Sequence, residues 1–221
     1  CVQRIFSHTK DEDDINQDGN RLLESVIQTA NTEVYQGGFS PDHMGMGTTV
    51  TIIQLKDNGE YTIGHVGDSR AYLIRDGNIK RISTDHSLVG DLVATKKITE
   101  EEARVHPERN VITKAVGLKD KVEPQIENGR IERGDIFVLC SDGLHGLVGD
   151  SEILRIASTE HPKTAVSNLV RIANDEAGHD NITVIVAKIG IFKLDEEKNP
   201  DNGLSFISRL RTLPTRFRGR K

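Results

Sequence analysis

Four short stretches rich in β-branched and aromatic residues follow one another at 49–55, 61–66, 71–74 and 79–82, never more than five residues apart. Asp57-Asn58-Gly59 and Asp76-Gly77-Asn78 are turn signals between them. A parallel crossover needs a dozen or more residues, so these strands run antiparallel, and the spacing predicts a meander. Doubly wound and parallel-barrel folds are excluded for this part of the chain. A helix precedes the strands: Leu22, Leu23, Val26, Ile27, Ala30 and Val34 recur at three- and four-residue steps and stop at Gly37-Gly38. Asp18-Gly19-Asn20 ahead of it reads as a polar loop.

Residues 85–117 break the β pattern. Within them Thr99 and Glu102 have the spacing of a capping box, and Pro107 ends that stretch. The run 136–140 is continuously apolar, as in a strand buried on both faces. A second helix is predicted over 162–177, with Pro162 in its first turn and Ala165, Leu169 and Ile172 on one face. Residues 182–189 form a last strand. Helices and antiparallel strands in separate blocks give an α+β class, with helices covering sheet faces.

Composition removes several functions. Acidic residues outnumber basic ones, 34 to 29, which argues against a nucleic-acid-binding domain. Aromatics are 4% with no Trp, so no stacking platform is available for single strands. No apolar run reaches the ~20 residues of a membrane span, and no signal-peptide pattern opens the chain. Cys1 and Cys140 form neither a disulfide framework nor a metal-ligand pair. These features predict a cytoplasmic, reducing setting. The expected organisation is a folded domain over 1–192 and a polar, then basic tail over 193–221. The tail carries Arg209, Arg211, Arg216, Arg218, Arg220 and Lys221, and reads either as a solvated segment or as an arm for an acidic partner or an anionic membrane surface.

Three aspartates share one setting. Asp68 follows the strand at 61–66, Asp142 follows 136–140, and Asp180 precedes 182–189. Each has a glycine within two positions that suits a sharp turn: Gly67, Gly143 and Gly178. Asp beside Gly at a strand end also caps turns, so each alone has a structural reading. Brought to one sheet rim, the three would form a cluster of oxygen donors whose repulsion calls for raised pKa values or a cation. Oxygen donors favour Mg²⁺ or Mn²⁺ over Zn²⁺. His65 inside a strand reads as a packed, hydrogen-bonded histidine, Arg70 as a partner for an acidic neighbour, and Cys140 as a core residue.

The strings GMGTTV (45–50), GHVGDSRAYLIRDG (64–77), TDHSLV (84–89), HPERNVITKAVG (106–117), GDIFVLCSDGL (134–144) and GHDNITVIV (178–186) occur in that order. Together they resemble the bacterial branch of the metal-dependent serine/threonine protein phosphatases, the PPM or type 2C family. The resemblance covers roughly residues 20–189. It implies a two-layer antiparallel β-sandwich flanked by helices. It also implies two Mn²⁺ or Mg²⁺ ions, and hydrolysis of phosphoserine and phosphothreonine in proteins by a metal-activated water. By motif, Asp142 and Asp180 resemble ligands of one of those ions, and Asp68 with Asp142 the pair that holds a third, weaker one. Asn181 resembles an outer partner orienting the neighbouring carboxylate. Residues 85–117, with Asp85, His86, His106 and Asn110, resemble the flap beside the site. The partners implied are phosphorylated proteins, substrates of serine/threonine kinases.

The front of the sequence departs from the family. The phosphate-gripping Arg and the DGMGG-type segment, whose Asp bridges both metals, are not found, and Met44-Gly45-Met46-Gly47 belongs to the later GMGTT motif. Residues 2–9 are read as continuing the family's first helix. The expectation is an N-terminally truncated domain of weak or absent activity on its own. The alternative is a catalytically dead domain that binds phosphoproteins.

Overall fold

The computed structural model describes residues 19–177 and 180–190. The readings of residues 2–9, of Gly178 and of the tail therefore lie outside the described residues. Helix α1 (Gly19–Gly37) opens the fold. Strands β1 (Val50–Leu55), β2 (Glu60–Val66), β3 (Arg70–Arg75) and β4 (Asn78–Arg81) follow, then helices α2 (Leu88–Ala94) and α3 (Glu100–Val105). Strands β5 (Gln125–Arg130) and β6 (Ile136–Cys140) come next. A one-turn helix α4 (Asp142–His145), helices α5 (Asp150–Thr159) and α6 (Pro162–Ala177), and strand β7 (Val184–Lys188) complete it.

All pairings are antiparallel, in two sheets ordered β1-β2-β5 and β4-β3-β6-β7. The expected single meander is thus corrected. β1 pairs with β2 and β3 with β4, but β2 and β3 lie in different sheets. Residues 67–69 carry the chain from one layer to the other. A hairpin turn and a sheet-to-sheet corner need similar numbers of residues, so spacing alone does not separate them. Gly19 and Asn20 open α1 rather than forming a loop. β5, α2 and α5 had no expectation in the sequence.

Alternation along the strands sorts the core into layers. Ala71, Leu73, Phe137 and Leu139 meet Tyr61, Ile63 and Ile189 between the sheets. Tyr61 and Phe137 cross that gap edge to face, with ring centroids 5.1 Å apart, a geometry that adds about 0.5–1.5 kcal/mol to plain burial. On the far face Tyr72, Ile74, Ile136, Val138 and Cys140 pack with Ile153, Ile156 and Leu169 of α5 and α6. β6 is therefore buried on both faces, as its apolar run predicts. α1 covers the other sheet through Leu23 and Ile27. Its buried Asn31 holds the 117–120 turn, accepting from Gly117 N and donating to the Lys119 and Asp120 carbonyls. No helix of the described residues is long and apolar enough to cross a membrane.

Candidate functional site

Strand register decides where the three aspartates go. Arg70 of β3 pairs with Cys140 of β6, and Cys140 pairs with Val184 of β7. In antiparallel ladders, stepping back from Arg70 means stepping forward from Cys140, so Asp68 and Asp142 leave the same sheet edge. The segment before β7 arrives at that edge too. It is held by Ser141 N–H to the Thr183 carbonyl (3.1 Å), Ser141 Oγ to the Asn181 carbonyl (3.2 Å) and Thr183 N–H to Ser141 Oγ (3.0 Å). Asp68, Asp142 and Asp180 line one cleft of about 630 Å³, together with Asp85 and Asn110 of the flap.

Not every expected residue reaches the cleft. His86 stacks on His65 (5.1 Å between centroids) and its Nδ1 accepts from Gly67 N–H (3.1 Å). It supports the corner at 67–69 from behind. His106 ends α3, and its Nδ1 accepts from Glu108 N–H. Asn181 donates its main-chain N–H to Asp180 Oδ1 (2.7 Å). The capping box of α3 is present as predicted. The two described glycines beside the aspartates have different tasks. Gly67 adopts φ +115°, and a side chain there would run into Thr49. Gly143 is not a turn glycine but the first-turn residue of α4, where a Cβ would stand 2.6 Å from the Asn181 carbonyl. Close approach of two backbones, rather than φ, demands it.

The floor of the cleft is ionic. Arg70 Nε and Nη2 donate to both oxygens of Asp85, Arg81 approaches the same carboxylate at 3.6 Å, and Arg81 reaches Glu100 of the flap at 2.7 Å. Arg70 Nη1 donates to Tyr72 Oη, which donates to Asp150 (3.2 Å). The acidic partner expected for Arg70 is thus Asp85. Burial would raise the Asp85 carboxyl, but the hydrogen bonds and charge of Arg70, with the charge of Arg81, hold it below its ordinary value. Asp68 gets less relief: burial, then the charge of Asp142, push its carboxyl up to about 6, against weaker lowering by a backbone N–H and the Arg70 charge. His65 is fully buried between Thr51 Oγ1 and the Gly67 carbonyl, and desolvation lowers it to about 4. Cys140 is a core thiol, raised by burial to about 12.

Among the cleft residues that the sequence did not single out, Arg104, Arg109 and His145 carry chemistry. Arg104 and Arg109 come from the flap side, and His145 lies three positions after Asp142. That spacing places His145 and Asp142 on one helical face, a signal available once 142–145 is read as helical.

A model of the family described as protein phosphatase 2C matches residues 2–109. The crystal structure of the Mycobacterium tuberculosis serine/threonine phosphatase PstP/Ppp superposes with a TM-score of 0.78 at 34% identity, covering 86% of this chain and 80% of that one. The chain belongs to the protein phosphatase 2C family. Protein phosphatase PhpP of Streptococcus pneumoniae is 37% identical over 164 residues, which are 74% of this chain and 66% of that protein's length. The catalytic domain of PstP in complex with two manganese ions aligns at 32% identity and a TM-score of 0.75, covering 86% of this chain and 79% of that one. The antiparallel α+β sandwich expected from the motifs is the fold of this type 2C family, and the family is metal-dependent.

The donors fit a hard divalent ion in kind. They are oxygens, and a cation between Asp68 and Asp142 would relieve the repulsion that raises Asp68. They are fewer than a full shell. Among the described residues no three Asp, Glu, His or Cys side chains are grouped closely enough to hold an ion.

Proposed function

We propose that the chain carries the metal-dependent phosphatase chemistry of its family, hydrolysing phosphoserine and phosphothreonine in proteins. The observation that carries this reading is that Asp68, Asp142 and Asp180 all line one cleft. Asp142 and Asp180 would hold one divalent ion and Asp68 with Asp142 another, Mn²⁺ or Mg²⁺ by their oxygen chemistry. A bound divalent ion supplies a water of near-neutral pKa and offsets charge on the phosphoryl oxygens. The chain's own residues do the rest. The Arg70–Asp85 pair fixes the floor, Arg104 and Arg109 bring positive charge to the flap-side rim, and Val89 and Leu147 add apolar surface to the walls. Turnover by this chain alone is expected to be slow, because the described donors do not close around an ion. The test is phosphate release from a phosphothreonine peptide with Mn²⁺, expected to be weak, abolished by EDTA and lost in Asp142→Asn. Release that ignores EDTA and D142N overturns the reading, and robust turnover overturns its weakness.

The same shortage of donors favours a second reading, a domain that binds phosphoproteins without cleaving them. Micromolar capture of the peptide with no phosphate release over hours would establish it in place of the first.

A further inference from the structure

Asp68 and Asp142 belong to different elements, so something must set the gap between them. Asp142 opens α4, which the buried Leu144 anchors to the core. Asp68 sits in the corner at 67–69, whose flanks are tied elsewhere. The Gly67 carbonyl accepts from His86 N–H (2.8 Å) and His65 Nε2 (2.9 Å), and Ser69 Oγ meets Thr49 Oγ1 at 2.9 Å. The bond that joins this corner to α4 comes from His145, whose Nε2 lies 2.9 Å from the Asp68 carbonyl. A carbonyl only accepts, so Nε2 carries the proton and donates. Asp142 and His145 are i and i+3 on one turn, facing the same cleft. One helical turn thus presents a carboxylate and also grips the backbone of its counterpart.

We infer that His145 is a positioning residue that fixes the spacing of the Asp68–Asp142 pair for a divalent cation. The inference rests on the metal-site reading above and assigns His145 no contact with substrate or ion. Its test uses the full chain, with manganese titration calorimetry and amide hydrogen exchange of the metal-free protein. His145→Leu keeps bulk and loses the donor, whereas His145→Gln restores an amide N–H near the Nε2 position. H145L should exchange faster over residues 64–72 and bind Mn²⁺ ~10- to 100-fold more weakly, the usual effect of removing an outer partner of a ligand. H145Q should recover both. Unchanged exchange in H145L removes the clamp, and faster exchange with unchanged affinity removes its role in spacing. Failure of H145Q to recover either also overturns the inference. A wild-type chain that binds no Mn²⁺ overturns the metal-site reading itself, while the exchange comparison still reports on the clamp.

Discussion

Arg70 grips both carboxylate oxygens of Asp85, at 3.1, 3.0 and 2.6 Å, with side chains only 13% and 8% exposed. The pair spans from the start of β3 to the first residues of the flap, so it couples a sheet edge to the segment that overhangs it. A buried pair of this kind adds little against an apolar replacement, but breaking it strands a charge. Asp85→Ala should therefore cost about 3–5 kcal/mol in urea unfolding. The double variant R70M/D85L should lose much less. A double variant that loses as much as the sum of its two single variants would show the pair carries no mutual dependence.

His65 gives the fold an acid limit. Its folded pKa of about 4 is below the unfolded 6.5, so the native state keeps it neutral while the unfolded chain takes up a proton. Between those values the unfolded state binds more protons, and stability rises with pH. The stabilisation is complete above about 6.5 and is lost as the pH falls toward 4. The full swing is about 3 kcal/mol at 1.36 kcal/mol per unit. Asp68, raised to about 6, titrates in the opposite sense. The measurement is therefore the difference between wild type and His65→Gln at each pH, where Asp68 cancels. That difference should shift by a few kcal/mol in favour of wild type from pH 4.5 to 7. A flat difference would mean His65 is not held neutral.

Gly143 and Gly67 are expected to resist substitution for separate reasons. Gly143→Ala puts a methyl 2.6 Å from the Asn181 carbonyl, on backbone that cannot swing aside as a side chain would. The strand-entry segment with Asp180 must move, at a cost of about 1–3 kcal/mol. Mn²⁺ affinity should fall more in G143A than in Gly67→Ala, which strains φ and Thr49 but leaves Asp180 in place. Thermal melting and metal titration of both variants read the two effects apart.

Local signals carried far in this sequence, and layer assignment did not. The run 136–140, the helix 162–177 and the Thr99–Glu102 cap each rest on neighbouring residues, and the structure has all three. Asp68 and Asp142 could be nominated from strand ends, but their meeting depends on β3 pairing with β6 across more than sixty residues, which no local pattern states. The corner at 67–69 read as a hairpin because its length fits one. β5 was missed because Gln125-Ile126-Glu127-Asn128-Gly129-Arg130 has little β-branched character and owes its extension to the ladder with β2. His145 was missed because its significance lies in a carbonyl 77 positions away.

The flap arginines lead to a prediction about substrate rather than stability. Arg109 lines the cleft from the exposed flap segment, whereas Arg104 is drawn toward Asp150 at 3.7 Å. A side chain on that rim can meet groups flanking a phosphoresidue, while a small phosphate ester seated among the aspartates would not reach it. Arg109→Ala should raise KM for an acidic phosphothreonine peptide roughly tenfold, the scale of a lost charge-assisted hydrogen bond. KM for p-nitrophenyl phosphate should hold, and kcat should change little for either. Added salt should weaken the wild-type preference for the acidic peptide and leave R109A nearly indifferent, since exposed pairs are screened. Equal loss on both substrates would move Arg109 from the flanking residues to the phosphate itself.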